Sequence, residues 1–316
     1  MKNLNEVIDT SCRRIAIAGH VNPDGDCIGS CAALYLYIRK NFPEISADLF
    51  LEEPKDSLRG IAGAGEALRE TDGREQYDLF ICCDTSTRDR IGVAGSLFDS
   101  ADRTVCIDHH MSNPGFADIN HIEPDASSCS EVLANLMEPE RIDREIAEAL
   151  YTGIIHDCGV FQYQNTSPAT MRTAAFLMEK GIDFHGIIDR TFYQRTFRQN
   201  RITGFGMMNA ALHLGGKCIS SIVTKADMGR FGADLRDLDI IVSQLRETEG
   251  VLAAIFLYQT DETHFKLSMR SNGDFDSAAA VSRFGGGGHL RAAGATIEGS
   301  PEEILKMVLA AVEEQL

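Results

Sequence analysis

The chain has 316 residues, of which 44% are hydrophobic and 24% are charged, and its formal net charge is −17. This length fits two domains, and this composition is typical of a folded globular protein and excludes an intrinsically disordered one. The negative charge argues against binding to a long nucleic-acid duplex but allows a small anionic substrate that cations or a local basic patch neutralise.

The first half of the chain repeats an apolar run, a polar loop and a helix-like segment. Short apolar runs predict buried strands, and the amphipathic segments between them predict helices. Strands alternating with helices indicate an α/β domain with a largely parallel sheet. The predicted strands cover 13–19, 45–53, 77–86 and 103–110, and the predicted helices cover 27–42, 142–159 (with Asp143 as its N-cap) and part of 160–185.

The second half predicts a smaller α/β domain. A hairpin turning at Asp261–Thr263 and a C-terminal helix with Ser300 as N-cap and Pro301 in its first turn are its clearest elements. We therefore predict a first domain over 1–188, a linker over 189–203 and a second domain over 204–316. The linker carries four arginines, which predict either a basic wall or a solvated surface: Arg190, Arg195, Arg198 and Arg201.

The cysteines and the hydropathy of the chain indicate the cellular compartment in which the protein is expected. The nine cysteines are an odd number and lie mostly in apolar segments, which is typical of reduced, buried thiols. No apolar run is long enough to cross a bilayer, and the N-terminal residues lack a secretory signal, so we expect a cytoplasmic protein without membrane association. Cys27 and Cys31 are spaced like a metal-binding pair, but no second pair follows at zinc-site spacing, and we interpret both as ordinary buried thiols.

Polar clusters follow three of the predicted strands. The carboxyl ends of parallel strands meet at one edge of a sheet, where α/β proteins bind ligands, so we expect these clusters to converge. A fourth segment adds Asp157, near the end of a helix, where the helix dipole disfavours a carboxylate unless a cation lies nearby. The clustered residues are His20, Asp24 and Asp26, then Asp84, then Asp108, His109 and His110.

Converging carboxylates repel one another, and bound divalent ions offset that repulsion. Mixed Asp and His ligands suit Mn²⁺ or Co²⁺, with Mg²⁺ as a further alternative. Two such ions about 3.5–4 Å apart activate a bridging water and stabilise charge on a phosphoryl group. Each cluster alone is more often a turn or a helix cap, but the joint pattern favours a two-metal site.

Four segments resemble the motifs of the DHH phosphoesterase superfamily, which is named for Asp108-His109-His110. A glycine-rich segment near the C-terminus resembles the signature of the associated DHHA1 domain. The order, spacing and domain size are most similar to the bacterial oligoribonuclease (nanoRNase) and 3′-phosphoadenosine-5′-phosphate (pAp) phosphatase branch. The matching segments are "HVNPDGDCIGS", "ICCDTS", "IDHH", "TGIIHDCGVFQY" and "FGGGGHLRAAGA".

The resemblance implies a role for each motif residue. One metal ion would be held by His20, Asp24 and Asp84. The other would be held by Asp26, Asp84, His109 and Asp157, with Asp84 bridging the two. His110 would contact the scissile phosphate, and Asp108 would orient an adjacent histidine. The residues alone leave open which histidine of the pair is the metal ligand.

The second domain would supply substrate contacts. Consecutive glycines expose backbone N–H groups that suit phosphate or base, although a flexible loop before a strand is the plain alternative. Arg270 lies where the family commonly places a substrate-binding arginine, with a solvated strand-end charge as the alternative. The predicted substrate-binding residues are Gly286, Gly287, Gly288, His289 and Arg270.

We therefore expect a hydrolase with two Mn²⁺ ions that cleaves short RNA oligonucleotides to mononucleotides and pAp to AMP and phosphate. The rival activity is a phosphodiesterase for cyclic di-AMP or its linear product pApA. A family II pyrophosphatase shares the metal motifs but lacks the glycine loop. The alternative outside the enzyme class is a non-catalytic, metal-dependent nucleotide-binding module. The sequence leaves the oligomeric state open, with a homodimer as one alternative.

Overall fold

The apolar runs of the first half form a five-stranded sheet in the computed structural model, which describes residues 1–9 and 12–316. All neighbouring strands of this sheet are parallel, in the order β2-β1-β3-β4-β5, which confirms the predicted parallel α/β sheet. Its central strands β3 and β4 are buried along their whole length, as expected when helices cover both faces. The strands are β1 (Arg14–Ala18), β2 (Ser46–Phe50), β3 (Leu79–Cys83), β4 (Thr104–Asp108) and β5 (Ile119–Ile122).

Six α-helices accompany this sheet in the part of the chain that the structure describes. Asp143 caps the fourth helix by accepting the N–H of Ile146 at 3.1 Å, which confirms the predicted N-cap. A Cβ atom at Gly29 would lie 2.6 Å from the carbonyl oxygen of Ala149, so glycine allows the first and fourth helices to pack closely. The helices are α1 (Gly25–Asn41), α2 (Gly95–Ser100), α3 (Cys129–Leu136), α4 (Arg144–Asp157), α5 (Pro168–Glu179) and α6 (Phe184–Ile188).

The second half forms a six-stranded mixed sheet in the order β10-β11-β9-β8-β7-β6, in which only β7 and β8 pair in parallel. Its strands are β6 (Ala211–His213), β7 (Cys218–Val223), β8 (Ala253–Gln259), β9 (His264–Ser271), β10 (Gly287–His289) and β11 (Ala292–Glu298). Its helices are α7 (Phe197–Met208), α8 (Lys225–Phe231), α9 (Ile241–Arg246), α10 (Ser277–Ser282) and α11 (Pro301–Glu313). The β8–β9 hairpin and the Ser300 cap of α11 were both predicted.

The chain divides into two compact units, Met1–Gln194 and Arg195–Leu316. A π-helical turn over Asp189–Tyr193 and the first half of α7 occupy the segment 189–203. The domain bounds 1–188 and 204–316 stay predictions. Within the described ranges 1–9 and 12–316, no helix is long and apolar enough to span a bilayer.

Candidate metal centre

The loop after β1 places His20 and Asp24 beside Asp84. Nδ1–H of His20 donates to the carbonyl of Val21 at 2.8 Å, so Nε2 is the nitrogen that faces the carboxylates. This Nε2 lies 3.7 Å from Oδ2 of Asp24 and 3.5 Å from Oδ2 of Asp84. Asp24 also caps α1, since its Oδ1 accepts the N–H groups of Asp26 and Cys27 at 3.1 and 3.0 Å. One short loop therefore starts the helix and presents two metal-binding groups.

Asp84 occupies the centre of the cluster, directly after β3. Its φ of 51° is left-handed, a strained conformation for a residue with a side chain, and its backbone N–H donates to the carbonyl of Ile107 at 3.0 Å. Its Oδ1 lies 3.6 Å from Nε2 of His109, whereas its Oδ2 faces His20. Oδ1 is buried and has no hydrogen-bond partner among the residues that the structure describes. The two oxygens thus face histidines from different loops, as in a carboxylate that bridges two ions.

Asp108 ends β4 and is fully buried. Its Oδ1 accepts the backbone N–H of His109 at 2.8 Å and Nδ1–H of His110 at 2.7 Å. Its Oδ2 accepts the side-chain amide of Asn113 at 2.6 Å. Burial alone raises the pKa of Asp108, but the hydrogen bond to His110 contributes to a net lowering. Both oxygens are occupied, so Asp108 orients His110 and is not itself exposed to a metal.

A second group of donors forms around His109. Its Nε2 lies 3.0 Å from Oδ2 of Asp157, at the last residue of α4. Asp26 is fully buried and accepts the N–H groups of Cys129 and Ser130, at 2.7 and 2.9 Å, from the start of α3. Three possible ligand atoms lie within 4.8 Å of one another, one each from Asp26, His109 and Asp157. These three residues form a compact set of one nitrogen and two carboxylates.

The pKa values of the site residues reflect an excess of negative charge at the centre. Burial lowers the pKa of His20, but the nearby carboxylates of Asp24 and Asp84 outweigh burial and raise it to about 11. Burial likewise lowers the pKa of His109, but the nearby carboxylates of Asp157 and Asp84 raise it to about 12. Burial and the neighbouring carboxylates raise the pKa of Asp26 well above its usual value.

Bound protons therefore offset the negative charge of these carboxylates, a role that divalent cations have in other carboxylate-rich sites. The donor set also fits such cations chemically, because it consists of imidazole nitrogens and carboxylate oxygens, one of which has no other partner.

Comparisons with known proteins assign this arrangement to a family. A family model for the DHH family N-terminal domain matches residues 14–154, and one for the DHHA1 domain matches residues 215–316. A bifunctional oligoribonuclease and PAP phosphatase from Thermus thermophilus is 30% identical over 320 residues, covering 100% of this chain and 94% of that protein. The chain belongs to the DHH/DHHA1 phosphoesterase family.

Two further relatives extend the comparison. The crystal structure of an exopolyphosphatase-related protein from Bacteroides fragilis has a TM-score of 0.89 and 28% identity, covering 96% of this chain and 92% of that chain. A cyclic-di-AMP phosphodiesterase from Geobacillus thermodenitrificans is 28% identical over 327 residues, covering 93% of this chain but 46% of that protein. This DHH phosphoesterase therefore shares its two domains with enzymes named for more than one phosphoester substrate.

In the second unit, Arg270 and His289 share one face of the sheet. Ala292 of β11 pairs with His289 of β10 on one side and with Arg270 of β9 on the other. Directly paired residues of antiparallel strands point to the same face, so the two side chains flank a small alanine. His289 is exposed and Arg270 is half-buried.

The glycines of the loop divide by role. A Cβ atom at Gly286 would overlap the carbonyl oxygen of Gly294, and one at Gly288 would lie 2.6 Å from Cα of Ala293, so both glycines allow close packing on β11. A Cβ atom at Gly287 would meet open space. Of these three glycines, Gly287 is therefore the one at which a side chain would not meet another part of the described chain.

Two residues near the DHH centre were not named as site residues by the sequence analysis. Nη2 of Arg90 lies 3.3 Å from Nδ1 of His20. A sulfur, Sγ of Cys27, joins donor atoms of His20 and Asp84 within 4.8 Å of one another. Cys27 is free and buried, as expected of an ordinary buried thiol, and it lies at the third position of α1. The only sequence signal for Arg90 is its place in the loop that follows Asp84.

Proposed function

We propose that this protein hydrolyses short oligoribonucleotides to mononucleotides and pAp to AMP and phosphate, using two divalent ions. The observation that carries the proposal is the carboxylate of Asp84, which is buried, has one unpartnered oxygen and presents its two oxygens to His20 and His109. A buried carboxylate without a cation or hydrogen-bond donors is unfavourable, and two flanking ions remove that cost. The name of the Thermus relative supports the substrate class.

The residues would divide between the ions as the family motif implies. His20, Asp24 and Asp84 would hold one ion, and Asp26, Asp84, His109 and Asp157 would hold the other. We propose Mn²⁺ for both positions of the active enzyme, with Mg²⁺ and Co²⁺ as alternatives, because imidazole and carboxylate together suit Mn²⁺. When bound, such ions lower the pKa of water and polarise phosphoryl oxygens.

His110 would stabilise the negative charge that develops on the phosphate. The hydrogen bond that Nδ1–H of His110 donates to Asp108 raises the pKa of His110, which favours the imidazolium form. Because Nδ1 is occupied by Asp108, Nε2 is the nitrogen that can donate to a phosphate oxygen. A positioned donor of this kind stabilises the transition state because it needs no reorganisation during the reaction.

Substrate binding would use the second unit. Arg270 and His289 share one face of the sheet, and the guanidinium fork of arginine suits a phosphate. We propose that Gly287 and the backbone of Gly286 and Gly288 contribute N–H groups beside them.

The second candidate is a cyclic di-AMP or pApA phosphodiesterase. It is supported by the similarity to the Geobacillus enzyme across 93% of this chain. Hydrolysis of pApA is also compatible with the proposed activity, because pApA is itself a dinucleotide. The two candidates differ in whether the cyclic substrate is cleaved faster than linear dinucleotides.

One panel of substrates tests the proposal. The protein with Mn²⁺ is incubated with pAp, a 5′-labelled RNA dinucleotide, a long single-stranded RNA, cyclic di-AMP and pyrophosphate. We expect turnover of pAp and the dinucleotide and little of the others. Faster hydrolysis of cyclic di-AMP, of pyrophosphate or of the long strand contradicts the proposal, and so does nucleotide binding without turnover.

The matched variants for this panel are Asp84→Asn and Asp72→Asn. Asparagine tolerates the left-handed backbone at position 84, so the first variant removes charge with little backbone strain. Asp72 is exposed and contacts Arg74, whose backbone N–H donates to Oδ1 at 3.0 Å and whose Nε lies 3.9 Å from Oδ2. We expect Asp84→Asn to abolish hydrolysis and Asp72→Asn to retain it.

The cytoplasm is the compartment we propose, because all nine cysteines are free and buried. A homodimer and the exclusion of long duplexes stay predictions.

A further inference from the structure

The chain has a strained turn shortly after the candidate ligand Asp157. Three consecutive residues, Gly159, Val160 and Phe161, have φ values of 56°, 52° and 65°, all in the left-handed region. Glycine adopts this conformation readily, but it is unfavourable for a β-branched or bulky residue. Backbone strain of this kind persists where the surrounding structure holds it, and it is concentrated at active sites and ligand-binding sites. The turn at 159–161 is therefore a candidate functional element.

Hydrogen bonds and core packing hold this turn in place. The N–H of Val160 donates to the carbonyl of Ile155 at 2.7 Å, and the N–H of Phe161 donates to Sγ of Cys158 at 3.2 Å. The side chains of Val160 and Phe161 both pack against the hydrophobic core of the first unit. The ring of Phe161 also lies 6.3 Å from the ring of Tyr151, in an edge-on arrangement. The core therefore fixes the conformation of the turn.

Tyr163 follows the turn and is 47% exposed. Its backbone N–H donates to the carbonyl of Cys158 at 3.0 Å, so the chain returns to the residue next to Asp157. A Cβ atom at Gly159 would lie 2.4 Å from Cζ of Tyr163, so the glycine leaves the space that the ring occupies. The tip of the ring therefore lies within about 12 Å of Cα of Asp157, since consecutive Cα atoms are about 3.8 Å apart. This distance is comparable with the length of one nucleotide.

An exposed aromatic ring near a phosphate-binding centre suits a nucleobase. Every base has a π face, so stacking on an aromatic side chain is tolerant of sequence. Tyrosine also offers a large contact area with only two rotatable side-chain bonds, which keeps the entropy cost of binding low. We propose that Tyr163 stacks on the base of the nucleotide whose phosphate is bound at the metal centre. The inference rests on the proposed function and deepens it, because it makes the nucleobase a feature that the first unit selects.

The first test compares two substrates that differ in the base. These are pAp and ribose 3,5-bisphosphate, which has a hydroxyl group in place of adenine. The readout is the ratio of kcat/KM for pAp to kcat/KM for the base-free compound. We expect Tyr163→Ala to lower this ratio about tenfold, a typical effect of removing one base–aromatic contact. Tyr163→Phe retains the ring and should retain the ratio.

The second test does not depend on hydrolysis. The chain contains no tryptophan, so Tyr163→Trp introduces a single indole at this position. This variant, with Mg²⁺ present, is titrated with AMP and separately with ribose 5-phosphate, and the tryptophan fluorescence is recorded. We expect saturable quenching by AMP, because stacking on a base quenches indole fluorescence. The base-free phosphate should leave the fluorescence unchanged.

Phe184 provides the matched control. It is the first residue of α6 and is 42% exposed, and none of the candidate site residues lies in this helix. The fluorescence of Phe184→Trp should respond to neither compound, and Phe184→Ala should leave the kcat/KM ratio unchanged. Circular dichroism reports whether each variant folds. If Tyr163→Ala does not fold, Tyr163→Leu replaces it, since leucine keeps apolar bulk but has no aromatic face.

Two results overturn the inference. One is an unchanged ratio in Tyr163→Ala, including the case in which both kcat/KM values fall together, since that would indicate a structural role. The other is quenching of Tyr163→Trp by AMP that is no stronger than that of Phe184→Trp. Failure of the proposed function is distinct, because the wild-type protein would then leave pAp uncleaved, and the fluorescence titration would still decide the inference.

Discussion

Asp108 holds His110 through a 2.7 Å hydrogen bond to Nδ1, and it holds the backbone of His109 with the same oxygen atom. One buried carboxylate therefore fixes both histidines of the pair. The contact also separates their roles, because His110 has one nitrogen committed to Asp108 while Nε2 of His109 faces Asp157 and Asp84.

Asp108→Asn tests this arrangement. The amide retains one oxygen but loses the charge that favours the imidazolium of His110, and it places an NH₂ group where Asn113 or the His109 N–H donates. We expect kcat to fall by about 10–100-fold with a smaller change in KM, the range typical of residues that orient ligands. Steady-state kinetics with pAp measure it. An unchanged kcat in a folded variant would show that Asp108 has no positioning role.

Asp26 should matter to stability even without metal. Its two carboxylate oxygens accept two separate backbone N–H groups at the start of α3, and an asparagine amide has only one oxygen. We expect Asp26→Asn to lower the free energy of unfolding by about 1–3 kcal/mol, the cost of a buried donor left unsatisfied. Urea unfolding in a chelator measures this. Equal stability of variant and wild type would contradict the contact.

Arg90 is expected to bind a substrate phosphate. Its guanidinium lies beside His20, and the described part of the chain offers it no ion pair with a carboxylate. We expect Arg90→Ala to raise KM for pAp about tenfold, which corresponds to the loss of about 1.4 kcal/mol, with a smaller effect on kcat. Arg172→Ala, on the exposed face of α5, is the control and should leave both constants unchanged. A lowered kcat with unchanged KM would assign Arg90 to the chemical step instead.

The cap of α4 predicts a pH dependence of stability. Burial raises the pKa of Asp143, but hydrogen bonds to Lys40 and to the Ile146 N–H outweigh burial and lower it. The ionised form is thus favoured in the folded state. The contribution of the ionised carboxylate to the free energy of unfolding is complete above the pKa of the unfolded state, about 4. It disappears as the pH falls through the lower pKa of the folded state.

Asp143→Ala should therefore cost about 1 kcal/mol at neutral pH and less near pH ~3. Asp143→Asn, which keeps a capping oxygen, should lose less at neutral pH. Urea unfolding at both pH values distinguishes the two variants. A deficit for Asp143→Ala that grows in acid would reverse the expected sign.

Convergence of the polar clusters could be predicted from the sequence because strand ends of a parallel sheet share one edge. His20, Asp84 and His109 each follow a buried strand, and that rule alone brings them together. The contact between Asp26 and α3 could not be predicted in this way. It joins residues 103 and 104 positions apart, and the short α3 has no local pattern that points to Asp26.

The packing roles of the glycines also could not be predicted from local sequence patterns. The substrate-binding role of Gly286 and Gly288 stays a prediction, but their close packing on β11, a strand that comes later in the chain, could not be predicted from the local sequence. The same holds for the surroundings of Cys27 in α1, because its neighbours His20 and Asp84 lie in the loops that follow β1 and β3. Sequence patterns report periodicity along the chain, whereas these roles depend on which atoms the folded chain brings within contact.

The left-handed backbone of Asp84 has a consequence for how ions exchange. Asp84 is held at φ 51° by the buried strand before it and by the hydrogen bond from its N–H to the carbonyl of Ile107. The free-energy cost of this backbone conformation is therefore part of folding and not of metal binding. The carboxylate is therefore preorganised, and an arriving cation does not have to reshape the main chain at this point. We expect the rate of metal binding to depend on how readily each ion loses its bound water, so that Mg²⁺ binds slowly and Mn²⁺ binds fast.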